Sequence, residues 1–71
     1  MAGEIVAEMV ANVLNVVAST GDQLDAGDIV VILESMKMEI PVLTEEAGTV
    51  ADIRVHKGDV VQEGDILAIL T

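Results

Sequence analysis

The sequence predicts an all-β domain, a small barrel or sandwich built from two intertwined halves, on three features. Over half of the 71 residues are hydrophobic, none is aromatic, and Val and Ile supply most of the apolar set. Such β-branched side chains pack well on a pleated surface. Glycine followed by aspartate recurs at Gly21-Asp22, Gly27-Asp28, Gly58-Asp59 and Gly64-Asp65, a pairing that punctuates turns. Displaced by 37 positions, the chain overlays itself, and 7 of the 13 positions from Gly21 to Leu33 are identical in the second copy. Each half is too short to bury an apolar face alone, so two interlocked halves about a pseudo-twofold axis are the economical solution.

The elements follow in order. Glu4–Glu8 and Ala11–Val17 are expected as the first two strands. Periodicity alone leaves this stretch open to a helix, because Glu4, Glu8, Met9, Val13 and Val17 also recur at helical spacing. The repeat favours strand: Val13 overlays Val50, Val16 overlays Ile53, and the partner segment Thr49–Val55 alternates and is rich in β-branched residues. Gln23–Asp25 and Val60–Gln62, each bracketed by Gly-Asp turns, are expected as very short strands. The apolar runs Ile29–Leu33 and Ile66–Leu70 suit buried strands, expected over Ile29–Ser35 and Ile66–Leu70, and Met38–Val42 and Thr49–Val55 complete the set of eight. Under the same offset Met38 overlays Met1. The segment around Lys37 is therefore the counterpart of the joined termini, and Met1 and Thr71 are expected together at the end remote from Lys37.

Composition narrows the function. A single domain of this size buries only about 60% of the surface its unfolded chain exposes, and without cysteine it has no disulfide or thiolate metal site to help. Thirteen carboxylates against three basic residues give a formal net charge of −10. That charge repels phosphate backbones, and no aromatic side chain offers a stacking platform, so nucleic acid is excluded as a partner. No apolar run approaches the ~20 residues of a membrane span. Glu4 and Glu8 interrupt the N-terminal apolar residues, and no basic segment precedes them, against a signal peptide. A cytoplasmic location is the default, and docking partners are expected to present basic surface.

One segment stands apart. Glu34-Ser35-Met36-Lys37-Met38-Glu39, followed by Ile40-Pro41-Val42, holds a lysine between two methionines near the middle of the chain. The chain must reverse here. A two-residue turn on Met36-Lys37 sets Glu34 opposite Glu39 and Leu33 opposite Ile40. Tight hairpins want positive φ at the turn, which Asn-Gly supplies easily and Met-Lys poorly. Two glutamates face to face are also unfavourable. Local rules broken together at one point of an otherwise consistent sequence mark a functional site. A charged turn lysine beside adaptable methionine filler is the bland alternative. It does not explain why both methionines flank a turn tip, where they should be exposed.

The segment resembles the attachment motif of the biotinyl/lipoyl family, in its biotin carboxyl carrier branch, and the resemblance extends over residues 1–71 as one biotinyl domain. It is similar to the small free-standing biotinylated proteins of actinobacteria. The resemblance implies a flattened barrel of two four-stranded antiparallel sheets with quasi-twofold symmetry and the modified lysine on a hairpin. It further implies covalent biotin on Lys37, with Met36 and Met38 as its bracket, attached by a biotin protein ligase. A biotin carboxylase using ATP and bicarbonate would load a ring nitrogen, and a carboxyltransferase would pass the carboxyl group to an acyl-CoA. On this basis the protein is a non-catalytic carrier, a monomer when isolated. Lipoyl carriers usually show an acidic residue before the lysine, where Met36 stands. Ser35 occupies a position where alanine is commonest. The short Asn15–Gln23 stretch leaves no room for the thumb loop of some acetyl-CoA carboxylase carriers, and no Pro/Ala-rich linker precedes the domain to name its carboxylase.

A lipoyl carrier and an unmodified interaction module share these features, and the mass of the native protein separates the three. Other polar residues read as bland. Lys57 opens a Gly-Asp turn without a methionine bracket. His56 has no second histidine or cysteine to share a metal. The carboxylates are spaced by turns and no cleft is expected, so a hydrolytic pair is unsupported. No helix follows Gly21, Gly27, Gly58 or Gly64, which are turn glycines rather than a phosphate loop.

Overall fold

The computed structural model describes residues 3–71, so the expected placement of Met1 lies outside the described residues. These fold into eight strands: β1 (Gly3–Val6), β2 (Ala11–Val16), β3 (Gln23–Leu24), β4 (Ile29–Ser35), β5 (Met38–Leu43), β6 (Gly48–Ile53), β7 (Val60–Val61) and β8 (Ile66–Leu70). Each expected strand is present: β4 and β8 have the expected bounds, and the others differ by one or two residues at one or both ends. The helical alternative for Glu4–Val17 is not taken. β1 stops at Val6 rather than Glu8 because the ladder is irregular between Ile5 and Val6. Beyond that point the Ala7 N–H donates to the Asp65 carbonyl at 2.9 Å. Among the described residues, no helix is long and apolar enough to cross a membrane.

The strands form two four-stranded sheets, ordered β1-β8-β6-β3 and β5-β4-β2-β7, with every pairing antiparallel. The repeat carries β1 onto β5, β2 onto β6, β3 onto β7 and β4 onto β8. It thereby converts one sheet order into the other. Each sheet draws two strands from each half, so neither half owns a complete sheet.

Hydrogen bonds at the turns obey the same exchange. Gly21 N–H donates to the Val50 carbonyl and Gly58 N–H to the Val13 carbonyl, both at 2.8 Å. Gly27 N–H reaches the Thr44 carbonyl and Gly64 N–H the Ala7 carbonyl, again at 2.8 Å. Every one of these bonds crosses from one half to the other. Within each turn a carboxylate accepts a backbone N–H three residues earlier: Ser19 to Asp22, Asp25 to Asp28, His56 to Asp59 and Gln62 to Asp65, at 2.8–2.9 Å. This explains the repeated dipeptide. Glycine takes the left-handed conformation (φ 92–95°) and aspartate closes the loop.

The core is aliphatic and paired by the repeat. Val13 and Val50, Val30 and Leu67, Leu33 and Leu70 are each no more than 2% exposed. Val or Leu at mirrored places lets both sheets meet with interlocking side chains, and among the described residues Thr44 is the one buried polar side chain. Thr44 stands where the other half has Ala7. Its hydroxyl donates to the Glu46 carbonyl at 2.7 Å. The result is an elongated body of 33 × 17 × 17 Å.

Candidate functional site: a lysine on a left-handed turn

β4 and β5 form a hairpin in the expected register, with Leu33 opposite Ile40, Glu34 opposite Glu39 and Ser35 opposite Met38. Met36 and Lys37 alone make the turn, with φ of 53° and 65°. Both residues are left-handed, as a tight hairpin with matching twist requires. For a residue with a Cβ this conformation costs about 1–2 kcal/mol. The strands hold the turn in place because Leu33, 1% exposed, anchors one side in the core while six residue pairs fix the register between β4 and β5.

The geometry puts Lys37 at an extremity. It immediately precedes β5, whereas Gly3 lies 3.6 Å, measured from an added Cβ, from the Glu46 carboxylate beyond the end of that strand. Thr71 shares that far end: it exchanges two backbone hydrogen bonds with Thr49, at 2.8 and 3.0 Å. The described chain ends therefore lie opposite the hairpin tip. Lys37 is exposed, and Met36 and Met38 are 90% and 61% exposed. Methionines so placed contribute nothing to the core, which removes the filler explanation.

Charge around the tip is unbalanced. Arg54 pairs with Asp52 at 2.7 Å, and His56 Nδ1 lies 3.8 Å from Asp59. Among the described residues Lys37 and the facing Glu34 and Glu39 make no ion pair. Lys57 lies in the turn that Asp59 closes and has no methionine bracket. His56 caps that turn through its own backbone N–H. Among the described residues no cluster of three potential metal ligands assembles.

The sequence reading missed one feature. The free edges of β1 and β5 leave an open groove lined by Ile5, Ile40 and Val42, with Glu4, Glu8, Glu45 and Glu46 at its margins. Pro41 was the available signal. A residue without an N–H belongs on an edge strand, and two edges side by side leave a furrow.

A rigid β-scaffold that holds one lysine out on a turn, at the pole opposite its chain ends, defines an attachment domain. Comparison with known proteins agrees. The family model described as "Biotin-requiring enzyme", the biotin/lipoyl family, matches residues 1–70, and the chain belongs to that family. It is 55% identical over 71 residues to a Mycobacterium leprae protein named a homologue of biotinylated protein TB7.3, covering 100% of both chains. It is 44% identical over 64 residues to the biotin/lipoyl attachment protein of Bacillus subtilis, covering 90% of this chain and 88% of that one. Among solved structures, the urea carboxylase of Kluyveromyces lactis superposes with a TM-score of 0.93 at 35% identity. The match covers 100% of this chain and 6% of that much longer one.

Proposed function

We propose that the chain, over residues 1–71, is a biotin carboxyl carrier and that Lys37 bears the biotin through an amide. The observation that carries this is the left-handed Met36-Lys37 turn. Backbone strain is accepted there, and it delivers an unpaired amine flanked by two exposed thioether side chains. The residues fit the group. A primary amine at a protruding tip suits amide linkage, and no neighbouring wall obstructs a bulky acyl chain. Kinship with a protein named as biotinylated supports biotin over lipoate, and the carboxylase superposition supports carboxyl transfer as the service performed.

The chain's own residues do simple work. The Lys37 amine loses its proton to the attaching enzyme and its nitrogen lone pair attacks the activated carboxyl carbon. The activating group departs and an amide forms, a net loss of one water. The hairpin then supplies a stiff base for a long flexible stem, which raises the local concentration of the tethered group at successive active sites. Bound biotin supplies a ring nitrogen able to hold and release a carboxyl group. The partners are a biotin protein ligase, a biotin carboxylase and a carboxyltransferase acting on an acyl-CoA, with the carrier a cytoplasmic monomer when isolated.

The test is the intact mass of the protein co-expressed with a biotin protein ligase, followed by peptide mapping. The expected result is one biotin less one water, located on Lys37. A lipoyl increment, or biotin on another residue, overturns the assignment.

A further inference from the structure

The groove between β1 and β5 is bounded by the two long free edges of the fold. β1 has four residues and β5 six, and each ends its sheet. The remaining edges, β3 and β7, have two residues each. Because the repeat carries β1 onto β5, the groove, about 330 Å³ in volume, straddles the pseudo-twofold axis. Its parts come in mirrored pairs: Leu33 and Leu70 form the floor, Ile5 and Val42 the walls. A third pair, Val6 and Leu43, stays 39% and 48% exposed beside them.

The mirror breaks at the rim. Glu8 and Glu45 are counterparts, but Glu4 stands where the other half has Pro41, and Glu46 where it has Met9. Three carboxylates, Glu4, Glu45 and Glu46, therefore gather at the Gly3 end of the groove, against Glu8 alone beyond the other end of β1. The Glu46 carboxylate lies 3.6 Å from an added Cβ on Gly3. Its loop is fixed by the Thr44 hydroxyl, which donates to the Glu46 carbonyl at 2.7 Å and accepts the Glu46 N–H at 3.2 Å. Among the described residues no basic side chain lines the groove, and the ion pairs found, Arg54–Asp52 and His56–Asp59, involve none of these glutamates. The two edges also differ in backbone. Pro41 takes a donor from β5, whereas β1, Gly3-Glu4-Ile5-Val6, contains no proline and keeps its donors and acceptors for another strand.

We infer that the groove is a docking site for an extended segment of a partner protein, basic at one end and aliphatic beyond it, which adds to β1 as a fifth strand of its sheet. Main-chain hydrogen bonds along an exposed edge give such a segment its affinity. A strand laid one spacing, about 4.8 Å, from β1 turns its side chains to the same faces as their β1 neighbours. The residue beside Glu4 is then lysine or arginine, within reach of Glu45 and Glu46. The residue beside Ile5 turns inward over Leu33 and Leu70 and is aliphatic. A second copy of this chain does not fit, because its formal net charge of −10 repels it. Lys37 does not line the groove, so the partner grips the flank and leaves the tip free, and the inference does not rest on what Lys37 bears. Carboxylates and a proline on an edge also guard against unwanted strand pairing. A merely guarded edge takes up no segment, which the test decides.

The probe is a capped synthetic peptide with lysines at one end and alternating valine and threonine after them, titrated into the isotope-labelled chain and followed by amide chemical shifts. Shifts are expected along Gly3–Val6 and at Glu45 and Glu46, with the Met36-Lys37 turn unmoved. Glu4→Gln with Glu46→Gln should weaken binding about ten-fold. Glu39→Gln with Glu63→Gln, which removes the same charge away from the groove, should weaken it no more than about two-fold. Replacing the valines of the peptide by serine should cost about ten-fold as well. The spectrum of each free variant reports that it is folded. An absence of shifts at millimolar peptide, shifts spread over the whole surface, an equal loss in both variant pairs, or full binding by the serine peptide overturns the docking site.

Discussion

Five turns among the described residues use left-handed residues, and four of them differ from the fifth. At Gly21, Gly27, Gly58 and Gly64 the left-handed residue is glycine, with open space where a Cβ would project, and an aspartate carboxylate ties off each loop. At the hairpin tip two residues with side chains, Met36 and Lys37, take the same unfavourable region with no side-chain hydrogen bond among those found there. The four glycine turns minimise local strain and present nothing. The fifth accepts strand-imposed strain and presents three long side chains. A fold that knows how to turn cheaply four times and does not do so the fifth time reveals where presentation outweighs local stability.

The largest effect that would break this contrast is loss of modification. Lys37→Ala should abolish avidin retention of the co-expressed protein completely, while Lys57→Ala, in a glycine turn, retains full binding. Labelling that survives in the first variant would make the tip an ordinary turn. Next comes the anchor beneath it. Leu33→Ala should lower stability by about 2–5 kcal/mol in denaturant titration and speed amide exchange from Ser35 to Met38, because the strained turn is held from below. Unchanged exchange would mean the turn holds itself.

Smaller effects refine the comparison. Gly27→Ala meets no atom within 4 Å, so its cost is backbone strain alone, about 1–2 kcal/mol by thermal or chemical denaturation. A negligible cost would show that glycine is not required there. Conversely, Met36→Asn, which tolerates the left-handed region, should stabilise the domain by about 0.5 kcal/mol. A destabilised variant would mean that the exposed thioether contributes packing after all.

The features visible in the sequence were those carried by short-range grammar. The Gly-Asp turns fixed the strand count, and the repeat overruled a helical period at Glu4–Val17. The Met36-Lys37 midpoint yielded the hairpin register to the residue. What escaped depends on contacts between distant segments. β1 ends where its ladder with β8 is irregular, and the Ala7 N–H finds the Asp65 carbonyl beyond it, a bond no local pattern announces. The groove arises because β1 and β5 are edges of different sheets. Val60 reads as an ordinary residue of a short strand until register sets it in one row with Asn12 and Glu34. Its exposure is a property of its neighbours, not of its own composition.

The exchange of turn hydrogen bonds between halves also governs how the chain reaches this state. Gly21 relies on Val50 and Gly58 on Val13, so the turns of the first half, though each is tied by its own aspartate, lack the acceptors of their glycine N–H groups while the second half is unmade. Neither half is a stopping point on the way down. Such mutual dependence over long sequence separation makes for slow, all-or-none folding. A chain interrupted before Gly58 should remain unfolded rather than half built, and the lysine it already contains would then lack the rigid tip that sets it forward.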